Sequence, residues 1–282
     1  MNFRNIGIQN FARNVYYIPP EKYLLNNHSL VEHARFKLLY NELAFLYELV
    51  TFRDSKQETE FLRKIISSFK PNAKHILDVG CGVGRHAELL CKKYGYSVMG
   101  VDISDKMIQL AKSHCPSCKF MKMDMRKLKL SRYFDVAICM WSTFNYLSNP
   151  KDTKSFFNEI HKSLRRTGLL IIDMKNYQKD NLQCFFRQAK DDSYSVNLWV
   201  FKRVIKNLGE GVYFYLIKKL KTGEELFALD QELNRVYRLE EVSAMASPLF
   251  NPVKIYGDYS CDVEFTPNRS NRVILVLKKR KN

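Results

Sequence analysis

Residues 75–104 read HILDVGCGVGRHAELLCKKYGYSVMGVDIS, and this stretch constrains the fold more than any other. A short apolar run ends in Asp78-Val79 and passes straight into Gly80-Cys81-Gly82-Val83-Gly84, after which an amphipathic helix continues to Tyr94. A second apolar run, Ser97–Val101, ends at Asp102. Glycines let the backbone turn tightly and approach a ligand closely, and they set that ligand at a helix N-terminus. Two strands joined through such a helix lie parallel in one sheet with a right-handed crossover. An acid at the tip of the second strand faces the crevice above the sheet, where its carboxylate can accept two ribose hydroxyls.

The alternation continues. Strand patterns at Lys119–Met123 and Phe134–Met140 precede a helix that Asn149-Pro150 opens and Thr167-Gly168 closes, followed by strand Leu169–Met174. Residues 194–237 offer three strand-like runs separated by glycine turns, too close together for crossover helices, and so predict an antiparallel meander. Val253–Tyr256 and Arg272–Lys278 return to strand pattern and complete a seven-stranded sheet. Before Pro71, helical spacing runs from Ser29 to Val50, with Ser29 and Glu32 in capping-box form, and again from Asp54 to Phe69. The expected architecture is a doubly wound, Rossmann-like α/β sheet. Residues 1–70 form an N-terminal helical cap, and residues 71–282 form the main domain, with 194–237 as an antiparallel lid inserted after strand five.

No apolar run reaches the roughly 18 residues of a membrane span, and the N-terminus lacks a signal-peptide core, so a cytoplasmic protein with no membrane partner is expected. Seven cysteines, an odd number scattered among the predicted elements, fit reduced thiols. Cys115-Pro-Ser-Cys118 has redox or zinc spacing, but the sequence gives it no second CxxC and no close histidine pair, so no metal is expected. The net charge of +17 would draw anionic partners, RNA among them, although the basic residues are spread along the chain and only the tail Lys278–Lys281 is dense.

The loop alone does not name its ligand, because Gly82-Val-Gly84-Arg-His-Ala87 also satisfies the dinucleotide form G-x-G-x-x-A with Asp102 twenty residues on. The turn begins at Gly80 directly after the strand, and Asp78 sits inside the strand end. An acid there suits a ligand with a cationic amino group and repels a pyrophosphate.

Ile76–His86 resembles the first motif of class I S-adenosylmethionine-dependent methyltransferases, and Val101-Asp-Ile-Ser104 with Met107 resembles their second. Lys122-Met-Asp-Met-Arg126 is similar to the third, where an acid approaches the adenine amino group; Phe134–Leu147 is similar to the fourth strand and its loop, and Leu164–Asp173 to the structural turn that follows. Within that superfamily the chain looks most like the small-molecule branch of sugar-amine and glycine-type N-methyltransferases. The resemblance implies S-adenosyl-L-methionine as cofactor. Its binding candidates are Asp78, Gly80, Cys81, Gly82, Gly84, Asp102, Ile103, Met107, Asp124, Met125 and Met140.

Methyl transfer from a sulfonium is an in-line displacement that depends mainly on alignment. The loop Met140-Trp-Ser-Thr-Phe-Asn-Tyr-Leu147 is aromatic and neutral, without the N/D-P-P-Y that holds a flipped base and without an acid pair for a guanidinium. Tyr47, Asn145 and Tyr146 are the catalytic candidates: Trp141 and Tyr146 as an aromatic wall near the sulfonium, Asn145 to position the acceptor, and Tyr47 with Tyr40 from the cap helix. His86 reads as a helix-surface residue. Asp173 and Asn176 are placed to reach the substrate crevice, and Trp199, Phe201, Tyr213 and Tyr215 to point inward from the lid. The expected activity is N-methylation of a small-molecule amine by a monomer or homodimer, with an RNA methyltransferase or a silent cofactor-binding scaffold as alternatives.

Overall fold

The computed structural model describes residues 38–51, 54–176 and 182–281. Ahead of the sheet stand two 3₁₀ turns, Leu38–Tyr40 and Ala44–Leu46, and a four-residue helix α1 (Tyr47–Val50), where periodicity predicts the end of one continuous helix. The earlier part of that expectation, with Ser29 and Glu32, lies outside the described residues. The helix is broken because its backbone groups have distant partners: Leu38 N and Leu39 N donate to the Asp230 carboxylate at 3.1 and 3.4 Å, and Ser104 Oγ donates to Tyr40 O at 2.5 Å. Helix α2 (Ser55–Phe69) follows the sequence expectation, capped by Asp54 Oδ1, which accepts from Gln57 N at 2.9 Å. Its apolar face, Phe61, Leu62, Ile65 and Ile66, is buried against the sheet, each side chain contributing roughly 1.5–3 kcal/mol. The predicted cap helix therefore packs as a layer of the main domain.

The chain then alternates β1 (His75–Val79), α3 (Arg85–Tyr94), β2 (Ser97–Asp102), α4 (Asp105–His114), β3 (Lys119–Lys122), β4 (Phe134–Cys139), α5 (Pro150–Ser163) and β5 (Leu164–Lys175). β5 begins five residues before the predicted Leu169, because Leu164 already pairs with Phe134 before a register shift near Thr167, whose φ is +65°. After the meander come α6 (Leu239–Ala246), β10 (Phe250–Gly257) and β11 (Arg272–Lys279). The seven-stranded sheet has the order β10-β11-β5-β4-β1-β2-β3, and only β11 runs against its neighbours. Helices α2, α3 and α4 cover one face, α5 and α6 the other. The order reverses between β1 and β4, which opens a crevice at the carboxyl ends of those strands.

The meander has four strands, β6 (Leu182–Lys190), β7 (Tyr194–Ile205), β8 (Leu208–Lys219) and β9 (Glu225–Arg235), in sequential antiparallel order, one more than the sequence predicts. Its inner face carries Val196, Leu198, Val200, Tyr213, Tyr215, Ile217 and Ala228, packed on Leu38–Val50 of the N-terminal segment. Tyr213 and Tyr215 point inward as expected. Trp199 and Phe201 do not: they lie on the outer face, 37% and 38% exposed, because β7 turns its even-numbered residues to the core.

Candidate active site

At the carboxyl ends of β1, β2, β3 and β4 the chain encloses a cleft of about 1150 Å³, counting its open mouth. Its floor is the glycine turn. Gly80, Gly82 and Gly84 all have positive φ, at +72°, +54° and +81°. Their reasons differ: a Cβ at Gly80 would collide with Thr143 at 2.3 Å and one at Gly84 with Phe120 at 2.9 Å, whereas one at Gly82 would meet only Tyr47 Oη at 3.8 Å and otherwise project into space that a ligand can fill.

The amides of this turn are already in use. Gly80 N and Cys81 N donate to Val101 O at 2.8 and 3.0 Å, and Gly82 N donates to Asp102 Oδ2 at 3.0 Å. Ser104 N donates to Asp102 Oδ1 at 2.9 Å. Each oxygen of Asp102 thus keeps acceptor capacity for a ligand hydroxyl. Asp78 lies buried beneath the turn; burial pushes its carboxyl up to about 6, Asp102 adds to the rise, and nearby His86 partly opposes it. Among the described residues Asp78 Oδ2 has no hydrogen-bond partner. A diphosphate would find no free amide at positions 80–82 and two carboxyl groups in its place. A ribose, an adenine and a positively charged tail suit this donor set. The walls suit the adenine: Ile103, Met123, Met125, Met140, Leu147 and Cys81 are apolar, and burial pushes the Cys81 thiol well up so that it stays neutral.

Asp124 also lines the cleft, but Arg126 grips it through Nε and Nη2 at 2.5–3.0 Å. Although burial alone would raise the Asp124 carboxyl, these bonds hold it below the usual carboxylate range. Three candidate cofactor residues stand back from the cleft lining: Asp78 under the turn, Gly84 packed on Phe120, and Met107 in the cluster beneath the N-terminal segment.

The roof is phenolic. Tyr40 and Tyr47 from the N-terminal segment and Tyr146 from the β4 loop line the cleft, with ring centroids 5.9 Å (Tyr40–Tyr47) and 6.2 Å (Tyr40–Tyr146) apart. Tyr40 Oη and Tyr146 Oη are 3.2 Å apart, and Tyr146 donates onward to Glu232 of β9. Tyr213 donates to the other oxygen of the same carboxylate. Burial, then the neighbouring Glu232, pushes the Tyr146 hydroxyl well up and keeps it protonated.

Asn145 is not in this wall. Trp141 and Ser142 take positive φ, at +55° and +61°, and the 3₁₀ turn Thr143–Tyr146 that follows aims Tyr146 at the cleft and Asn145 away from it. Asn145 is fully buried, and its Nδ2 donates to Arg235 O at 2.8 Å. The residue ties the loop to the end of β9.

Asp173 and Asn176 likewise do not reach the crevice. Asp173 accepts from Arg272 and from Trp141 N at 2.7 Å and Tyr259 Oη at 2.7 Å, while Asn176 Nδ2 donates to Pro267 O and Ser270 O at 2.7 and 2.9 Å. His86, expected on a helix surface, is buried, its Nε2 2.7 Å from Glu58 Oε2, and the other Glu58 oxygen accepts from Trp141 Nε1 at 2.6 Å. The hydrogen bond to Glu58 holds the histidine inward, and no local pattern in the sequence announces that pairing. The cleft is also lined by Asn41, Ser104, Arg126, Thr143 and Leu147, to which the sequence assigns no individual site role, and Glu232 above it lies on a strand whose sequence shows only alternation.

Residues 76–168 match the methyltransferase domain family. A Geobacillus sp. (strain WCH70) protein provisionally named a methyltransferase is 25% identical over 253 residues, covering 86% of this chain and 100% of that one. The dTDP-3-amino-3,4,6-trideoxy-alpha-D-glucopyranose N,N-dimethyltransferase of Streptomyces venezuelae is 27% identical over 128 residues, 45% of this chain and 54% of its own length, so the match spans about half of that relative. Among solved structures, an S-adenosylmethionine-dependent methyltransferase from Clostridium acetobutylicum ATCC 824 superposes with a TM-score of 0.72 at 21% identity, covering 85% of this chain and 98% of that one. The sugar N-methyltransferase from Streptoalloteichus sp. ATCC 53650 superposes with the same TM-score, 0.72, at 19% identity, covering 85% and 93%. These last two likenesses bear on the fold. Among the described residues no helix is long and apolar enough to cross a membrane.

Proposed function

We propose that this chain, a class I S-adenosylmethionine-dependent methyltransferase, methylates the amino group of a small molecule, with an amino sugar as the leading class of acceptor. When bound, the cofactor supplies an activated methyl group on a sulfonium. Asp102 would hold the ribose hydroxyls, the apolar walls the adenine, and buried Asp78 would supply negative charge beneath the amino-acid end.

The observation that carries the amine assignment is the chain of hydroxyls from Tyr40 through Tyr146 to the Glu232 carboxylate at the roof of the cleft. An amine must present a lone pair to the methyl carbon and shed a proton once it is methylated. Tyr146, protonated and bonded to a carboxylate, can accept a hydrogen bond from the amine and pass the proton toward Glu232. The phenol faces would also attract positive charge on the acceptor and on the sulfonium. The cleft's neutral, aromatic lining at Trp141 and Tyr146 suits a small acceptor, and the named N,N-dimethylation of dTDP-linked amino sugars by relatives supports that class.

The test is a panel assay in which the purified chain meets amino-sugar nucleotides, their hydroxyl analogues, simple amines and transcribed RNA, with S-adenosylhomocysteine release and acceptor mass as readouts. A mass gain of one or two methyl groups on an amino sugar, absent from its hydroxyl analogue, is the expected result. Methylation of RNA or of the hydroxyl compound alone would replace this reading.

A further inference from the structure

The fold assembles a three-thiol cluster that the sequence did not bring together. Cys91 sits in the last turn of α3, Cys115 closes the C-terminus of α4, and Cys118 is the residue before β3. Their Sγ atoms all lie within 4.8 Å of one another. Cys115 is fully buried, Cys118 nearly so and Cys91 partly exposed; all are free thiols, and none lines the cleft. The C-P-S-C segment is held as a turn by Cys118 N, which donates to Cys115 O at 3.1 Å. Ser117 brings an oxygen to the same place, with Oγ 3.3 Å from Cys115 Sγ and 3.7 Å from Cys91 Sγ.

We propose that Cys91, Cys115 and Cys118 bind a thiophilic d¹⁰ cation of the zinc(II) type, with Ser117 Oγ or a water as the fourth ligand. Soft thiolates select such ions, and the spacing fits: zinc–sulfur bonds of about 2.3 Å in a tetrahedron set sulfurs roughly 3.8 Å apart. Cys115 and Cys118 are now 2.8 Å apart, so loading separates them by roughly an ångström, a change within reach of side-chain rotation. As three S–M bonds form, the three thiol protons leave to solvent and no electron is transferred. A disulfide-exchange role for the pair suits the geometry less well. Reactive CxxC thiols stand at helix N-termini, whereas Cys115 caps the C-terminus of α4, where the helix carbonyls favour a cation. Located away from the cleft, the ion would staple α3 to the segment leading into β3, and its role would be structural.

The test uses the full chain, reduced with a phosphine, stripped by a chelator and then titrated with cobalt(II). One equivalent is expected to give a sulfur-to-cobalt charge-transfer band with the visible bands of tetrahedral cobalt, bleached by one equivalent of zinc(II), and zinc is expected to raise the melting temperature. Cys91→Ser and Cys118→Ser should lose the band, while Cys184→Ser, on the exposed side of β6, should keep it. Should Cys118→Ser fail to fold, partly exposed Cys91 still decides. A reduced chain with native circular dichroism that gives no charge-transfer band overturns the site, and so does Cys91→Ser binding with unaltered stoichiometry and spectrum.

Discussion

Arg272 on β11 and Asp173 on β5 meet as a two-pronged ion pair, Nε to Oδ1 at 2.6 Å and Nη2 to Oδ2 at 2.7 Å, with the carboxylate wholly buried. The same carboxylate takes Trp141 N, and Arg272 Nη2 also donates to Ser142 Oγ at 2.8 Å. Burial would pull the guanidinium down, but Asp173 outweighs it and holds Arg272 firmly charged. Arg272→Ala should therefore leave an uncompensated buried charge and cost about 3–5 kcal/mol in urea unfolding. Turnover should fall with it, because the backbone at Trp141 and Ser142 aims Tyr146. An unfolding midpoint that stays put would show that the pair does not hold the loop.

Cofactor affinity should depend on the glycine turn and its acid. Asp102→Ala removes the acceptor for Gly82 N and Ser104 N together with the proposed ribose contacts, and should weaken S-adenosylhomocysteine binding by about 1–3 kcal/mol in calorimetry. Gly82→Val places a branched side chain at φ +54° and in the open space above the turn, and should abolish the calorimetric signal.

Proton removal can be separated from binding. Tyr146→Phe and Glu232→Gln should lower kcat about 10²–10⁴-fold while leaving S-adenosylhomocysteine affinity near that of the parent chain. A fall in cofactor affinity with unchanged kcat would assign the phenol to binding alone.

Asp78 gives a pH signature. Its folded carboxyl titrates at about 6, above the ordinary 3.8, so the folded state holds the proton more tightly than the unfolded chain. The stability this contributes is complete below about pH 4 and is lost as pH rises through 6, on the order of 3 kcal/mol in total. The difference in unfolding free energy between the parent and Asp78→Asn, measured in urea from pH 4 to 7, should change by that order across the window. A flat difference would mean that the carboxyl is solvated or paired.

The β1-turn-α3 unit and the sheet were legible because strand period, glycines and a helix of crossover length fall within thirty residues and depend on nothing distant. The N-terminal segment was not, because Leu38 and Leu39 give their amides to Asp230, 192 and 191 residues away, and no helical period records that. Three of the four meander strands were legible, but not their faces. β7 is apolar on both sides around Leu198–Phe201, so alternation could not say which side turns inward, and a shift of one residue exchanges Trp199 for Leu198. Tyr146 was nominated from within a motif that carries the resemblance and Tyr47 from the expected closure of the N-terminal segment over the cleft, and both line it. Glu232 was missed because its meaning comes from Tyr146, 86 positions away.

The bonds that the two leucine amides donate to Asp230 have a practical side for anyone who would redesign acceptor choice. Exchanging β6–β9 for the corresponding strands of another enzyme also removes the Asp230 acceptor for Leu38 N and Leu39 N, just ahead of Tyr40, and leaves the bond from Ser104 Oγ to Tyr40 O to hold that end of the roof from the sheet side. Such a chimera needs an acid at the Asp230 position, or its new specificity will arrive with an unlatched entrance.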